Sequence, residues 1–155
     1  MNTTSISMFS VYNNRAAELV GYLWDLSDNG TPANTMFQYS ESRTGGQLSF
    51  RVQGSGTNYS ANLSAARVNT DQRLISNFVD ASKNMSEFDN GATGGTDTFS
   101  GTVNIDTMTI GANRAGGAYS TYHDGDVQEV ILFNTNESAN RTDIESDINT
   151  YYSIY

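Results

Sequence analysis

An all-β sandwich or barrel closed by a short C-terminal helix is the fold class that this 155-residue sequence predicts. Three observations carry the expectation. Short stretches that alternate apolar and polar residues recur with turn signals roughly every eight to twelve residues, as antiparallel strands with one buried face require. The composition suits a pleated sheet: nine Tyr and seven Phe supply bulky side chains, while a single proline (Pro32) and abundant Gly, Ser, Thr and Asn describe short polar turns. Only beyond Asn136 does the apolar period change from two to that of a helix.

The elements follow in order. Ile6 to Tyr12 alternates loosely, and Glu18 to Leu26 packs Leu19, Val20, Tyr22, Leu23 and Trp24 into a second strand. Asp25 to Gly30 reads as a turn, because Asp, Asn and Gly tolerate the positive φ of tight reversals. Met36 to Ser40 is a third strand. Leu48, Phe50 and Val52 alternate cleanly with Ser49, Arg51 and Gln53, a half-buried strand entered through a Thr44-Gly45-Gly46 hairpin. Tyr59 to Leu63, Arg73 to Val79 and Met85 to Asp89 continue the series, the last ended by Asn90-Gly91. Ala92 to Gly101, rich in Gly and Thr, is expected to be the longest structureless piece. Thr102 to Gly111 carries Val103, Ile105, Met108 and Ile110 before a Gly116-Gly117 turn. Val127 to Phe133 is almost continuously apolar and predicts a central strand covered on both faces. Ile144, Ile148, Tyr151 and Tyr155 then form a helical stripe with Asp143, Glu145 and Asp147 on other faces, and Asn136 or Ser138 as N-cap.

Composition excludes several function classes. The length suits one domain, residues 1–155, that buries a core without metals or cross-links. Cysteine is absent, which removes disulfides, thiol catalysis and thiolate metal sites. The formal charge is −9 and Lys83 is the only lysine. Nucleic-acid binding needs clustered Lys and Arg, and the seven arginines here are scattered. The same acidity disfavours anionic membrane surfaces, and no stretch approaches the ~20 apolar residues of a membrane span. The Met-Asn-Thr-Thr-Ser-Ile start lacks the basic flank and apolar run of a secretory signal. It is consistent with cytosolic synthesis, export by another route, or a processed or truncated chain. The Asn-x-Ser/Thr sequons, such as those at Asn58 and Asn84, follow from a composition rich in all three residues.

The closing residues resemble a known family. Ile110-Gly111-Ala112-Asn113, then Gly125-Asp126-Val127-Gln128-Glu129-Val130-Ile131-Leu132-Phe133-Asn134, then Asn140-Arg141-Thr142-Asp143-Ile144-Glu145, look like the end of a laminin-G-like, concanavalin A-like jelly roll. Phe88-Asp89-Asn90-Gly91 resembles that family's hairpin. The match spans roughly residues 70 to 155. It implies an antiparallel two-sheet jelly-roll β-sandwich with a short C-terminal α-helix, in which Glu129 is structural. The Asn/Ser/Thr/Tyr-rich, Lys-poor character is similar to such domains in bacteriophage virion proteins. The family's first edge strand has no counterpart here. A neighbouring chain supplies the pairing, or the sequence is a fragment, or the edge is protected in another way.

Few residues suggest chemistry. Asp124, Asp126 and Glu129 invite comparison with the paired acids of jelly-roll glycoside hydrolases, which stand about 5–5.5 Å apart in retaining enzymes. On a regular strand Asp124 and Asp126 share a face and Glu129 points the other way. The Glu-x-Asp-x-x-Glu arrangement of jelly-roll glucanases is absent. His123, the only histidine, has no second histidine, cysteine or nucleophile-elbow serine for company. Asp25, Asp28 and Asp124 lie in oxygen-rich segments and are the calcium candidates, although turn chemistry explains them without a metal. Tyr119 and Tyr122 lie in a Gly-rich loop beside His123, and these three are the glycan-binding candidates, whereas Trp24 reads as core.

The sequence therefore predicts a non-enzymatic β-sandwich without a cofactor. The first expectation is a structural or decoration component of a phage particle, on capsid, fibre or tail appendage, contacting itself as a homo-oligomer or other virion proteins at the virion surface. The alternative is a lectin-like module for host-surface glycans at an extracellular or cell surface, with Tyr119, Tyr122 and His123 lining its site. Neither nucleic acid nor membrane is an expected partner.

Overall fold

A computed structural model describes residues 5–15, 21–28, 35–41, 48–54, 57–62, 70–100, 103, 105–115 and 118–155. Twelve strands run through these residues: β1 (Ile6–Asn14), β2 (Tyr22–Ser27), β3 (Thr35–Glu41), β4 (Leu48–Gly54), β5 (Thr57–Asn62), β6 (Arg73–Val79), β7 (Asn84–Asp89), β8 (Ala92–Thr98), β9 (Thr107–Ile110), β10 (Asn113–Ala115), β11 (Ala118–Ser120) and β12 (Gly125–Phe133). A 3-10 turn (Ser138–Asn140) leads into α1 (Arg141–Tyr152). One sheet has the order β12-β1-β6-β7-β8 and the other β5-β4-β3-β2-β9, with β10 and β11 forming a separate hairpin. Pairing within these sheets is antiparallel, and the fold is an antiparallel jelly-roll β-sandwich with one C-terminal helix.

The core forms two layers. Between the sheets, Ile6, Met8 and Tyr12 of β1 meet Leu23, Trp24 and Leu26 of β2, with Phe50, Val52, Ile75 and Val79. On the far side of the first sheet, Phe9 and Val11 of β1 pack with Leu74, Phe78 and Ile148 beneath α1. Strand β1 is thus covered on both faces. Ser7 tolerates burial because it is bonded: its Oγ donates to the Thr135 carbonyl at 2.8 Å and accepts from Glu137 N at 2.7 Å.

That finding corrects the expectation for Val127 to Phe133, which among the described residues is the edge strand β12 rather than a central one. Its near-continuous apolar run has another cause. Val127, Val130 and Leu132 face the inter-sheet core, whereas Ile131 and Phe133 face α1. A register shift between Val11 and Tyr12 absorbs the extra residue. A bulge of this kind reverses the alternation, so Glu129 ends on the same outer side as Asp126, not opposite it.

Other expectations also shift. Ala92 to Thr98 is not structureless but is strand β8, paired with β7 through the turn at Asn90 (φ 49°) and Gly91 (φ 76°). Its Gly and Thr weaken the pattern without removing the backbone ladder. Asp25 belongs to β2, not to a turn. Val103 and Ile105 are buried but precede β9, which spans only Thr107–Ile110. The Thr44-Gly45-Gly46 and Gly116-Gly117 turns lie outside the described residues.

Helix α1 lies across the outer face of the first sheet. Ile144, Ile148 and Tyr152 pack onto it, with Ile154 just beyond the helix. Tyr151 is 81% exposed, and Tyr155 falls outside the helix, its hydroxyl against Gly91. A hydrogen bond from Ser153 N to the Asn149 carbonyl and an αL Ser153 end α1 at Tyr152. The predicted caps are displaced: Asn140 occupies the N-cap without a side-chain capping bond, its Nδ2 donating instead to Glu137 Oε2, while Asn136 Oδ1 accepts from Ser138 N. A buried ion pair latches the helix down. Glu145 accepts from Arg141 and from Ser76 Oγ (2.7 Å), and the Arg141 guanidinium lies 4.0 Å from the Phe88 ring centroid.

Candidate functional site

Asp25 sits between Trp24 and Leu26, both core residues, so its side chain leaves the opposite face of β2. It is nonetheless fully buried, because the β10–β11 hairpin covers it. Asn113 Nδ2 donates to Asp25 Oδ2 at 2.9 Å, and Arg114 N approaches the same oxygen at 3.4 Å. The carboxylate thereby anchors the start of the hairpin.

The hairpin brings Arg114 opposite Tyr119, with the guanidinium carbon 5.9 Å from the Tyr119 ring centroid. Cation and ring at this distance attract through the ring quadrupole. Tyr119 is 56% exposed and Tyr122 66%. The Tyr122 hydroxyl reaches the Tyr119 carbonyl at 3.5 Å, so the two rings border one patch.

Backbone contacts hold the loop behind them. Thr121 adopts φ 52°, and its carbonyl accepts from Tyr22 N at 3.3 Å. His123 N donates to the Gly111 carbonyl at 2.8 Å. A Cβ on Gly21 would lie 2.9 Å from His123 Cα, so only glycine lets the loop approach β2 this closely.

His123 is placed differently from the two tyrosines. It is half-buried, its ring meets Tyr12 edge-on with centroids 5.7 Å apart, and Nε2 lies 3.1 Å from the Asn13 carbonyl. A carbonyl only accepts, so Nε2 carries a proton and is committed to Asn13. His123 supports the loop from below while Tyr119 and Tyr122 face solvent.

A further arginine belongs to the same sheet face. Phe50 and Val52 are fully buried, so Arg51 between them leaves the outer face of β4, where it is half-buried. The register aligns Thr109, Asp25, Gln38, Arg51 and Ser60 in one row across five strands. Asp25 and Arg51 are two strands apart, about 10 Å at ordinary strand spacing. Guanidinium groups flanked by tyrosines recognise planar carboxylates and stack on rings. Alternation around Phe50 and Val52 already marked Arg51 as outward; Arg114, between the Gly-rich turns, gave no such signal.

The calcium candidates do not form one cluster. Asp25 is occupied by the hairpin, Asp28 follows β2, and Asp124 is exposed at the far strand end, where its carbonyl accepts from Arg15 N at 2.9 Å. Among the described residues, no three His, Cys, Asp or Glu side chains converge on a point suited to an ion. Asp126 forms an exposed ion pair with Arg15 at 3.2 Å.

No family model and no curated protein sequence matches the chain. Solved structures do. The carbohydrate-binding module (CBM40) of the Ruminococcus gnavus IT-sialidase, bound to α2,3-sialyllactose, aligns with a TM-score of 0.74 at 13% identity, covering 90% of this chain and 81% of the module. The NanB sialidase of Streptococcus pneumoniae aligns at 0.74 and 18% identity over 92% of this chain but only 24% of the sialidase. A heptameric SAP-like pentraxin from Limulus polyphemus aligns at 0.67 and 12% identity, covering 90% of this chain and 68% of the pentraxin. The likeness is one of fold. None of these three is named as a virion component.

Proposed function

We propose that this chain is a non-catalytic carbohydrate-binding module that takes an acidic glycan at the Arg114–Tyr119–Tyr122 patch. The observation that carries this reading is the braced hairpin. A buried Asp25 fixes its backbone, and the hairpin presents an arginine stacked near one exposed tyrosine and adjacent to another. Tyrosine rings supply apolar faces for sugar C–H groups, and guanidinium groups pair with a carboxylate. The structural likeness to a sialyllactose-bound module supports the choice of an acidic sugar. The acids that invite comparison with a glycosidase pair have other neighbours: Asp126 pairs with Arg15 and Glu129 lies against Tyr152.

Titration calorimetry with 3′-sialyllactose and lactose tests the reading. Sialyllactose binds and lactose binds at least tenfold more weakly; Tyr122→Ala and Arg114→Gln weaken the acidic sugar while the fold survives. Equal affinity for the two sugars removes the role of Arg114, and no binding to any of a broad glycan panel removes the function. Calcium, added or chelated in parallel, tests whether the acidic residues need an ion.

The reading as a phage structural component draws on one observation, the β12 edge, which pairs with β1 on one side only among the described residues. It predicts self-association or binding to particles. A monomer by light scattering that ignores particles removes it, and leaves glycan binding at a cell or particle surface.

A further inference from the structure

On the far side of the molecule, α1 and β12 enclose a second cleft. Glu129 and Ile131 stand two apart on β12 and share the face that α1 covers. Asp147, Ile148, Tyr151 and Tyr152 are spaced three and four apart on α1 and share the face that looks back. These residues line an open cleft of about 350 Å³. Ile131 and the buried Ile148 form its floor. Tyr151, 81% exposed, meets Tyr152 edge-on with centroids 4.8 Å apart.

Packing does not explain this arrangement. Ile144, Ile148 and Tyr152 already seal the helix to the sheet, and Tyr151 contributes little to the core. The Tyr152 hydroxyl donates to Glu129, and burial followed by the Glu129 charge raises the phenol above its ordinary 10.0. Among the described residues, no Lys, Arg or His lines the cleft. The nearest helix cation, Arg141, is turned the other way, toward Glu145 and Phe88.

We propose that this cleft binds an organic ammonium ion, with the two tyrosine rings against its methyl or methylene groups and Glu129 and Asp147 as counter-charges. Aromatic faces attract cations, and an apolar floor favours an alkylated nitrogen over a hydrated metal. Calcium takes six to eight oxygens, more than two carboxylates and a phenol offer here. An acidic sugar is repelled, so the site differs in charge preference from the hairpin patch and does not depend on it. The ammonium is either a free methylated amine or a lysine side chain.

Ring-proton NMR of the whole chain tests the proposal. Choline, its neutral isostere 3,3-dimethylbutan-1-ol and Nα-acetyl-lysine amide are titrated separately. Choline or the lysine amide shifts the Tyr151 and Tyr152 signals saturably and the isostere does not. The tighter of the two cations identifies the source. Tyr151→Ala, at an exposed position, weakens the cation roughly two- to fivefold, the range for a cation–π contact in water. Asp147→Asn, also exposed, weakens it by roughly one and a half- to fivefold, the range for an exposed ion pair. Equal binding of the isostere, no saturable shift with either cation, or unchanged affinity in Tyr151→Ala overturns it.

Discussion

Replacing Gly125 with alanine tests whether the Tyr122 loop is held by close backbone contact. An added Cβ would lie 2.0 Å from the Asn13 carbonyl oxygen, 2.5 Å from His123 Nε2 and 3.0 Å from the Asn13 carbonyl carbon. Non-bonded heavy atoms rest roughly 3.5 Å apart, so something must move by more than about 1 Å. The Asn13 backbone gives way poorly. It is in register with Asp126, and its side-chain Oδ1 accepts from Asp126 N at 3.1 Å. The imidazole can swing aside, but only by giving up its 3.1 Å contact with Asn13. Overpacking costs about 1–3 kcal/mol and the lost hydrogen bond about 1 kcal/mol more. For a chain of this size each kcal/mol lowers the melting temperature by roughly 2–4 °C, so a fall of roughly 5–15 °C is expected. Thermal unfolding followed by circular dichroism measures it, and sialyllactose titration reads the loop. His123→Ala should cost only about 1 kcal/mol, because it leaves the backbone contact intact. A Gly125→Ala protein melting within ~1 °C of the parent would refute the assignment of a clash.

Other changes have defined outcomes. Glu145→Ala strips Ser76 and Arg141 of a shared acceptor that is only 4% exposed, and should cost about 3 kcal/mol in urea denaturation. Glu145→Gln keeps an acceptor for Ser76 and should cost less; equal losses would show that charge is immaterial there. Ile148→Ala opens a cavity beneath α1 and should cost about 2–5 kcal/mol, whereas exposed Tyr151→Ala leaves the urea midpoint unchanged. Similar losses for both would mean that the helix is held by its exposed side. Asp80 gives a pH signature. Burial opposes its ionisation, but the Asn84 side chain and the backbone N–H groups of Asn84 and Ser82 outweigh that and hold the carboxyl below its ordinary 3.8. A depressed folded value stabilises the fold above 3.8 and loses that stabilisation as pH falls through the lower value. Asp80→Asn should therefore flatten the melting temperature on the acid side; an unchanged acid limb would contradict the assignment.

What the sequence revealed of this fold was set by the kind of signal each element carries. Strand β4 was legible because one face is apolar and the other polar, as around Phe50, Arg51 and Val52, and β6 was legible from its bulky apolar residues, which are buried on both faces. The helix was legible from Ile144 and Ile148, but Tyr151 and Tyr155 were misplaced, since spacing cannot say where Ser153 turns left-handed. The edge strand β12 reads as central in the sequence for a related reason. Ser7 and Ser10 make β1 look half-polar although it is buried on both faces, and the bulge in β12 superposes two half-buried patterns into one apolar run. Strand β8 left almost no trace, because its ladder is made by backbone groups that Gly and Thr supply as well as any residue.

The candidate site was half legible for the same physical reasons. Exposed tyrosines in a Gly-rich loop are conspicuous, whereas a buried carboxylate is not. Asp25 looked like turn chemistry beside Asp28 and Asn29, and only the hairpin folded across β2 turns it into an anchor for Asn113 and Arg114. The consequence is a division of labour between polar residues that a linear reading treats alike. Asp25 and His123 are consumed inward, one by the hairpin and one by Asn13, and they fix the position of the loop. Tyr119 and Tyr122 are left outward on a support that does not depend on them, which is why changing them should alter recognition and spare the fold. Substituting Asp25 should do the reverse, loosening the hairpin first and weakening sugar binding only because Arg114 loses its place.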